Sequence, residues 1–178
     1  MRISALLGCA AVVAAVVAAV AGAAEPAAGT LSVENGKGVV VLDLRGSVLG
    51  RLKLGTLRVT DYTPRDAFSE IVVGRRLTQE QIGPRTILYR GSSLRFRMLG
   101  GGYRVVARGF GIDISAVGRG FVILDGDPTF SGENVGTYSL DGVDCGFEPL
   151  DCEPLPSESE RFTLGANPAD SPSRAAAG

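Results

Sequence analysis

Three aspartates could supply paired carboxylates for acid–base chemistry, because Asp125, Asp127 and Asp141 each follow an apolar run of the sequence. Two such groups held close together can act as general acid and general base in a hydrolase. Asp125 and Asp141 are each followed by glycine, a pair that is also typical of turns. A small carboxylate-dependent hydrolase is therefore an alternative hypothesis, and turns at strand ends are the favoured interpretation.

The same region suggests a weaker candidate, a calcium site. Asp125, Asp127, Asp141 and Asp144 lie within twenty residues of one another, and carboxylate oxygens are the ligands that Ca²⁺ prefers. The spacing matches no Asp-rich calcium loop ending in glutamate. The aspartates therefore remain only weak calcium candidates, and no other metal site is predicted.

Most other catalytic chemistries are excluded by composition. The chain has no histidine, which rules out Ser-His-Asp and Cys-His catalysis and histidine-ligated zinc. Its two lysines do not stand in a Ser-x-x-Lys arrangement, and its glycines form neither a phosphate loop nor a dinucleotide fingerprint. We therefore predict a non-catalytic protein with no organic cofactor.

Arginine is the residue type that remains for function, since 16 of the 18 basic residues are arginines. A turn at Gly100–Gly101 would pair residues 94–98 with residues 103–107 as a β-hairpin. Strict alternation then places Arg95, Arg97 and Arg104 on one solvent face, with Arg90 and Arg108 near its far end. Directly opposed arginines repel, so this face predicts a nearby carboxylate or an anionic partner.

Three kinds of partner fit such a face: an anionic polymer of the cell envelope, lipid head groups, or another protein with an acidic surface. Nucleic acid is not expected, because the chain has the features of an exported protein and the face carries few aromatic side chains. A structural alternative is a charged sheet surface that only keeps the protein soluble and unpaired.

The elements that carry these residues are predicted to be strands. Short apolar runs rich in Val, Ile and Leu recur between glycines about every ten residues, a pattern of all-β sandwiches and barrels. We predict a single compact sandwich or barrel with about 9–11 short antiparallel strands. Helix-forming residues are concentrated only at 75–82, where at most one short helical turn is expected.

The chain is predicted to be exported. Residues 1–24 combine a single early arginine, a long uncharged Ala/Val-rich run and small residues at its end, as in a secretory signal peptide. An uncleaved N-terminal membrane anchor is the alternative, because the run is long enough to span a bilayer. An extracytoplasmic location, secreted or envelope-associated, follows from the signal peptide.

The remaining chain divides into a linker at 25–29, a β domain at 30–140, a segment at 141–165 and a tail at 166–178. The third segment holds Cys145 and Cys152, an even pair that predicts a disulfide in an exported protein, and a possible edge strand. The tail lacks apolar bulk and is predicted to be disordered.

Charge is uneven along the chain. Residues 30–140 carry 15 basic and 10 acidic residues, whereas residues 141–178 carry 2 basic and 8 acidic residues.

The leading functional prediction is therefore an exported, non-catalytic binding or structural module that contacts anionic partners through its arginine-bearing face. The carboxylate hydrolase is one alternative. A structural subunit that self-assembles is another.

Overall fold

A computed structural model describes residues 29–63, 70–130 and 132–165. The predicted signal peptide at 1–24 and the predicted tail at 166–178 lie outside these residues. The described chain is all-β, as predicted, and contains no α-helix. Its strands are β1 (Gly29–Asp61), β2 (Ile71–Gly83), β3 (Thr86–Met98), β4 (Gly102–Gly126), β5 (Thr137–Ser139), β6 (Glu153–Pro154) and β7 (Glu160–Leu164).

The predicted architecture of many short strands is wrong. The seven strands form one antiparallel sheet in the order β2-β3-β1-β4-β7, with β5 on β1 and β6 on β5, and the sheet does not close. β1 and β4 are 33 and 25 residues long. Residues 75–82, expected to be partly helical, belong to β2. No helix in the described ranges is long and apolar enough to cross a membrane.

The two long strands wind around each other. Residues 38–45 of β1 pair on one side with residues 102–109 of β4 and on the other side with residues 119–126 of the same strand. Each strand must therefore bend sharply, which requires glycine at the bends. At one bend Gly55 faces Gly109 across the ladder. A Cβ added to Gly55 would overlap the Arg108 carbonyl oxygen, and a Cβ added to Gly109 would overlap the Leu54 carbonyl oxygen.

The coiled sheet places the core on its inner face. Between the bends, apolar side chains of β1, β3 and β4 alternate inward, and 25 of the described residues form one buried cluster. The largest fully buried members are Tyr103, Leu31, Leu42, Leu52, Leu57, Leu94, Met98, Ile112 and Leu124. The outer face carries charged side chains together with some exposed apolar ones, and the candidate site lies there.

Candidate anion-binding face

The predicted arginine hairpin does not form, although its alternation is correct. β3 and β4 lie on opposite sides of β1, as Val48 pairs with Met98 and Asp61 pairs with Tyr103. The hairpin pairing is wrong because alternation reports the face that a strand buries and carries no information about its neighbour. The predicted apolar face is buried as expected: Leu94, Phe96, Met98, Tyr103, Val105 and Ala107. Arg95, Arg97 and Arg104 are exposed.

Arg104 is neutralised by its own sheet and does not oppose Arg97. Its Nη1 lies 3.2 Å from Asp43 Oδ2, and Tyr62 donates its hydroxyl to the same oxygen at 3.1 Å. Asp43 is the direct cross-strand neighbour of Arg104. The carboxylate expected beside these arginines is therefore present, although a different strand pairing supplies it.

Arg95 borders a depression of about 330 Å³ that contains charges of both signs. Across the ladder lies Arg51, which donates to Asp113 and is 3.4 Å from Glu34 Oε1. Asp113 also accepts a hydrogen bond from the Asn35 amide at 2.6 Å. Burial, followed by the nearby Asp113 charge, raises the pKa of Glu34 above its ordinary value, and Arg51 opposes this shift.

The clearest concentration of one charge lies further along the outer face, and we name it the arginine cradle: Arg58, Arg90 and Arg108. Thr56 pairs with Arg90 on one side and with Arg108 on the other, and Arg58 follows two residues later on the same face. All three arginines line one depression of about 440 Å³, together with Thr56, Leu88 and Val106. All three are exposed to solvent.

The cradle is only weakly compensated by acidic side chains. Arg90 Nη2 lies 3.6 Å from Glu80 Oε2, in a pair whose side chains are both more than half exposed. Arg58 and Arg108 make no ion pair with any other described residue. The structure thus brings together two of the five predicted arginines, Arg90 and Arg108, and adds Arg58, which the sequence analysis did not select.

Asp141 lies apart from the other two candidate catalytic aspartates. Asp125 and Asp127 line a depression beside Arg108, whereas Asp141 lines another with Asp151 and Glu153. Asp127 accepts hydrogen bonds from the Thr129 hydroxyl at 2.7 Å and amide at 2.9 Å, which lower its pKa. A hydrogen bond from Ser139 likewise lowers the pKa of Asp141. Groups with lowered pKa values stay ionised and are poor proton donors at neutral pH.

The weak calcium candidates do not converge either. Within the described ranges, no three His, Cys, Asp or Glu side chains lie close enough together to hold a metal ion. The Asp144 carboxylate accepts a hydrogen bond from the Gly146 amide at 2.9 Å and helps to shape the loop that follows. That loop is closed at Cys145 and Cys152, whose sulfurs lie at disulfide distance and whose Cα atoms are 5.8 Å apart.

Comparison with protein families, with curated proteins and with solved structures found no match for this chain.

Proposed function

We propose that this protein is a non-catalytic, extracytoplasmic binding module whose arginine cradle holds anionic polymers. One observation carries the proposal: Arg58, Arg90 and Arg108 surround a single depression, and among the described residues only the exposed Glu80 lies within ion-pair distance of any of them. Structural arginines of this sheet, such as Arg104 and Arg51, have acidic partners on neighbouring strands. Arg58 and Arg108 have no such partner among the described residues.

Simple electrostatics favours an external anion in the cradle. Neighbouring strands lie about 4.8 Å apart, so the backbones at Arg90 and Arg108 are separated by about 10 Å. At that distance two like charges in water repel by about 0.4 kcal/mol. An anionic group about 4 Å from each guanidinium gains about 1 kcal/mol per contact even in water. The attraction exceeds the repulsion, and arginine's planar donors fit phosphate, sulfate and carboxylate groups.

A polymer is favoured over a single small anion because the cations of the cradle are exposed. Exposed contacts are individually weak and screened by salt, so useful affinity requires many charges along one ligand. The Cys145–Cys152 pair supports the extracytoplasmic part of the proposal, since disulfides persist in oxidising compartments. A cleaved signal peptide at 1–24 remains a prediction.

Retention on phosphocellulose at low salt tests the proposal. The native protein is expected to bind, and the variant R58S/R90S/R108S is expected to pass through the column. A matched variant, R45S/R75S/R85S, loses the same three charges at exposed positions outside the cradle and should elute as the native protein does. Equal loss of retention by both variants would contradict the proposal, because it would show a dependence on net charge alone.

A second arm identifies the source of the anion. Vesicles containing phosphatidylglycerol are compared with soluble polyphosphate and with a carboxylate polymer such as polygalacturonate. Binding to either polymer but not to vesicles supports a polymer ligand. Cradle-dependent binding to vesicles alone would replace the polymer by lipid head groups. No cradle-dependent binding to any of the three would contradict the proposed function.

A further inference from the structure

The disulfide-closed loop carries the two most exposed large apolar side chains in the described structure. Phe147 is 86% exposed and Leu150 is 92% exposed. Between and beside them stand Asp144, Glu148 and Asp151, which are also exposed. We name this segment, residues 144–152, the acidic loop. Exposure of the two apolar side chains to water is unfavourable, and the carboxylates beside them suit a partner surface that is both apolar and basic.

The acidic loop is held in a fixed shape. The Phe147 and Glu148 amides donate to the Asp144 carbonyl at 2.9 and 2.8 Å, and a short 3₁₀ turn follows at Pro149–Asp151. The Cys145–Cys152 closure joins the two ends of the loop. The Cys145 amide donates to Ser32 Oγ of β1 at 3.1 Å, which fixes the loop to the sheet. A preorganised loop loses little conformational entropy when it binds.

A surface of complementary character lies on the same molecule. On the outer face Arg97 stands between Ile71 and Leu49, and Arg95 stands between Val73 and Arg51 on the adjoining strands. Ile71, Val73 and Leu49 are 46%, 53% and 48% exposed. We name this surface the apolar–arginine face: Leu49, Ile71, Val73, Arg95 and Arg97. Arg95 and Arg97 form no ion pair with another described residue.

We infer that two copies of this chain associate reciprocally, the acidic loop of each docking on the apolar–arginine face of the other. Phe147 and Leu150 would cover the exposed aliphatic side chains, and Glu148 and Asp151 would pair with Arg95 and Arg97. The proposal commits to a second copy because both complementary surfaces belong to this chain. It does not depend on the arginine cradle, which is formed by other residues.

The position of the loop favours a closed pair over an open chain of copies. Asp144, at the start of the acidic loop, lines the same depression as Arg95 and Leu49. Loop and face therefore adjoin each other on one side of the molecule. Surfaces arranged in this way can exchange contacts about a two-fold axis, so that the same two patches are used twice. The contact is small, and we expect a dissociation constant on the order of micromolar.

Sedimentation velocity of the native protein over a range of concentrations tests the inference. We expect a monomer–dimer equilibrium that weakens as salt is raised, because part of the attraction is ionic. The variant F147S/L150S should sediment as a monomer at concentrations where the native protein is dimeric. A matched variant, L54S/I82S, removes two other exposed apolar side chains (58% and 43% exposed) and should dimerise normally.

Charge reversal provides the decisive arm, because a merely misfolded variant cannot be rescued in this way. Both E148K/D151K and R95E/R97E should be monomeric, and the variant carrying all four substitutions should dimerise again. A native protein that is monomeric at every concentration would overturn the inference, as would four substitutions that fail to restore the dimer. Retention on phosphocellulose tests the arginine cradle independently of dimerisation. Failure of one proposal therefore does not decide the other.

Discussion

At the scale of single residues, Arg58 shows what sequence reasoning missed and why. The alternation of Leu94–Arg108 correctly predicted which arginines face solvent. It could not show that β1 lies between β3 and β4, and so it could not place Arg90 and Arg108 on either side of Thr56, two residues before Arg58. The sequence does place Arg58 at an exposed position of a strand. Only the pairing of β1 with both β3 and β4 brings Arg58, Arg90 and Arg108 together as one cluster.

Glu34 leads to a prediction about pH. Its pKa is higher in the folded protein than in the unfolded chain, mainly because of burial and then because of Asp113. The folded state therefore holds the proton more tightly, and Glu34 lowers stability as pH rises from 4.5 through its folded pKa. The variant E34Q removes this effect. The difference in free energy of unfolding between E34Q and the native protein should therefore shift in favour of E34Q as pH rises from 4.5 through the folded pKa of Glu34, and then level off.

Urea denaturation at a series of pH values measures the difference between E34Q and the native protein. Asp127 and Asp141 contribute with the opposite sign, because their lowered pKa values add stability as pH rises toward 3.8. Both proteins keep these aspartates, so their contribution cancels in the comparison. A difference in stability that stays constant between pH 4 and about pH 7 would contradict the assigned environment of Glu34.

At the scale of elements, the glycines explain why the sequence predicted too many strands. Glycine between apolar runs is usually a turn, so the glycine-bounded runs of this sequence predict strand ends. In the structure Gly46, Gly55 and Gly109 lie inside continuous strands, at points where the ladder bends and a crossing carbonyl leaves no space for a side chain. Local sequence does not distinguish the two cases, because the difference lies in the strand that crosses.

Substitution of Gly109 tests this account of the bends. Gly109 has a φ of 145° and its added Cβ would overlap the Leu54 carbonyl oxygen. We expect G109A to lose about 3 kcal/mol of unfolding free energy, through strain and displacement of the paired strand. Urea denaturation followed by circular dichroism provides the measurement.

The control for this substitution is G83A at the end of β2. Gly83 has no positive φ, and an added Cβ would meet only Thr86, at an ordinary 3.5 Å. Its stability should change by no more than about 1 kcal/mol. Similar losses for G109A and G83A would show that the bend at Gly109 tolerates a side chain and would contradict the coiled arrangement of β1 and β4.

At the scale of the whole molecule, the basic and acidic side chains that are unevenly distributed in the sequence lie on different parts of the structure. Basic side chains spread over the outer face of β1, β3 and β4, whereas Asp144, Glu148 and Asp151 lie on the disulfide-closed loop and Glu153 and Glu160 lie on β6 and β7. The sequence indicated the asymmetry and the all-β class. It did not indicate that the acidic loop and the apolar–arginine face adjoin, because their closeness depends on segments far apart in sequence: the Cys145 amide donates to Ser32, and Asp144 lines the same depression as Arg95.

The salt dependence of polyphosphate binding tests the arginine cradle most directly. The logarithm of the binding constant should fall linearly with the logarithm of salt concentration, with a slope set by the number of phosphates contacted. We predict that R58S/R90S/R108S reduces this slope by about 2 to 3, since each contact contributes roughly 0.7 to 0.9. The matched variant R45S/R75S/R85S should keep the native slope. Identical slopes for the native protein and both variants would contradict the proposed function.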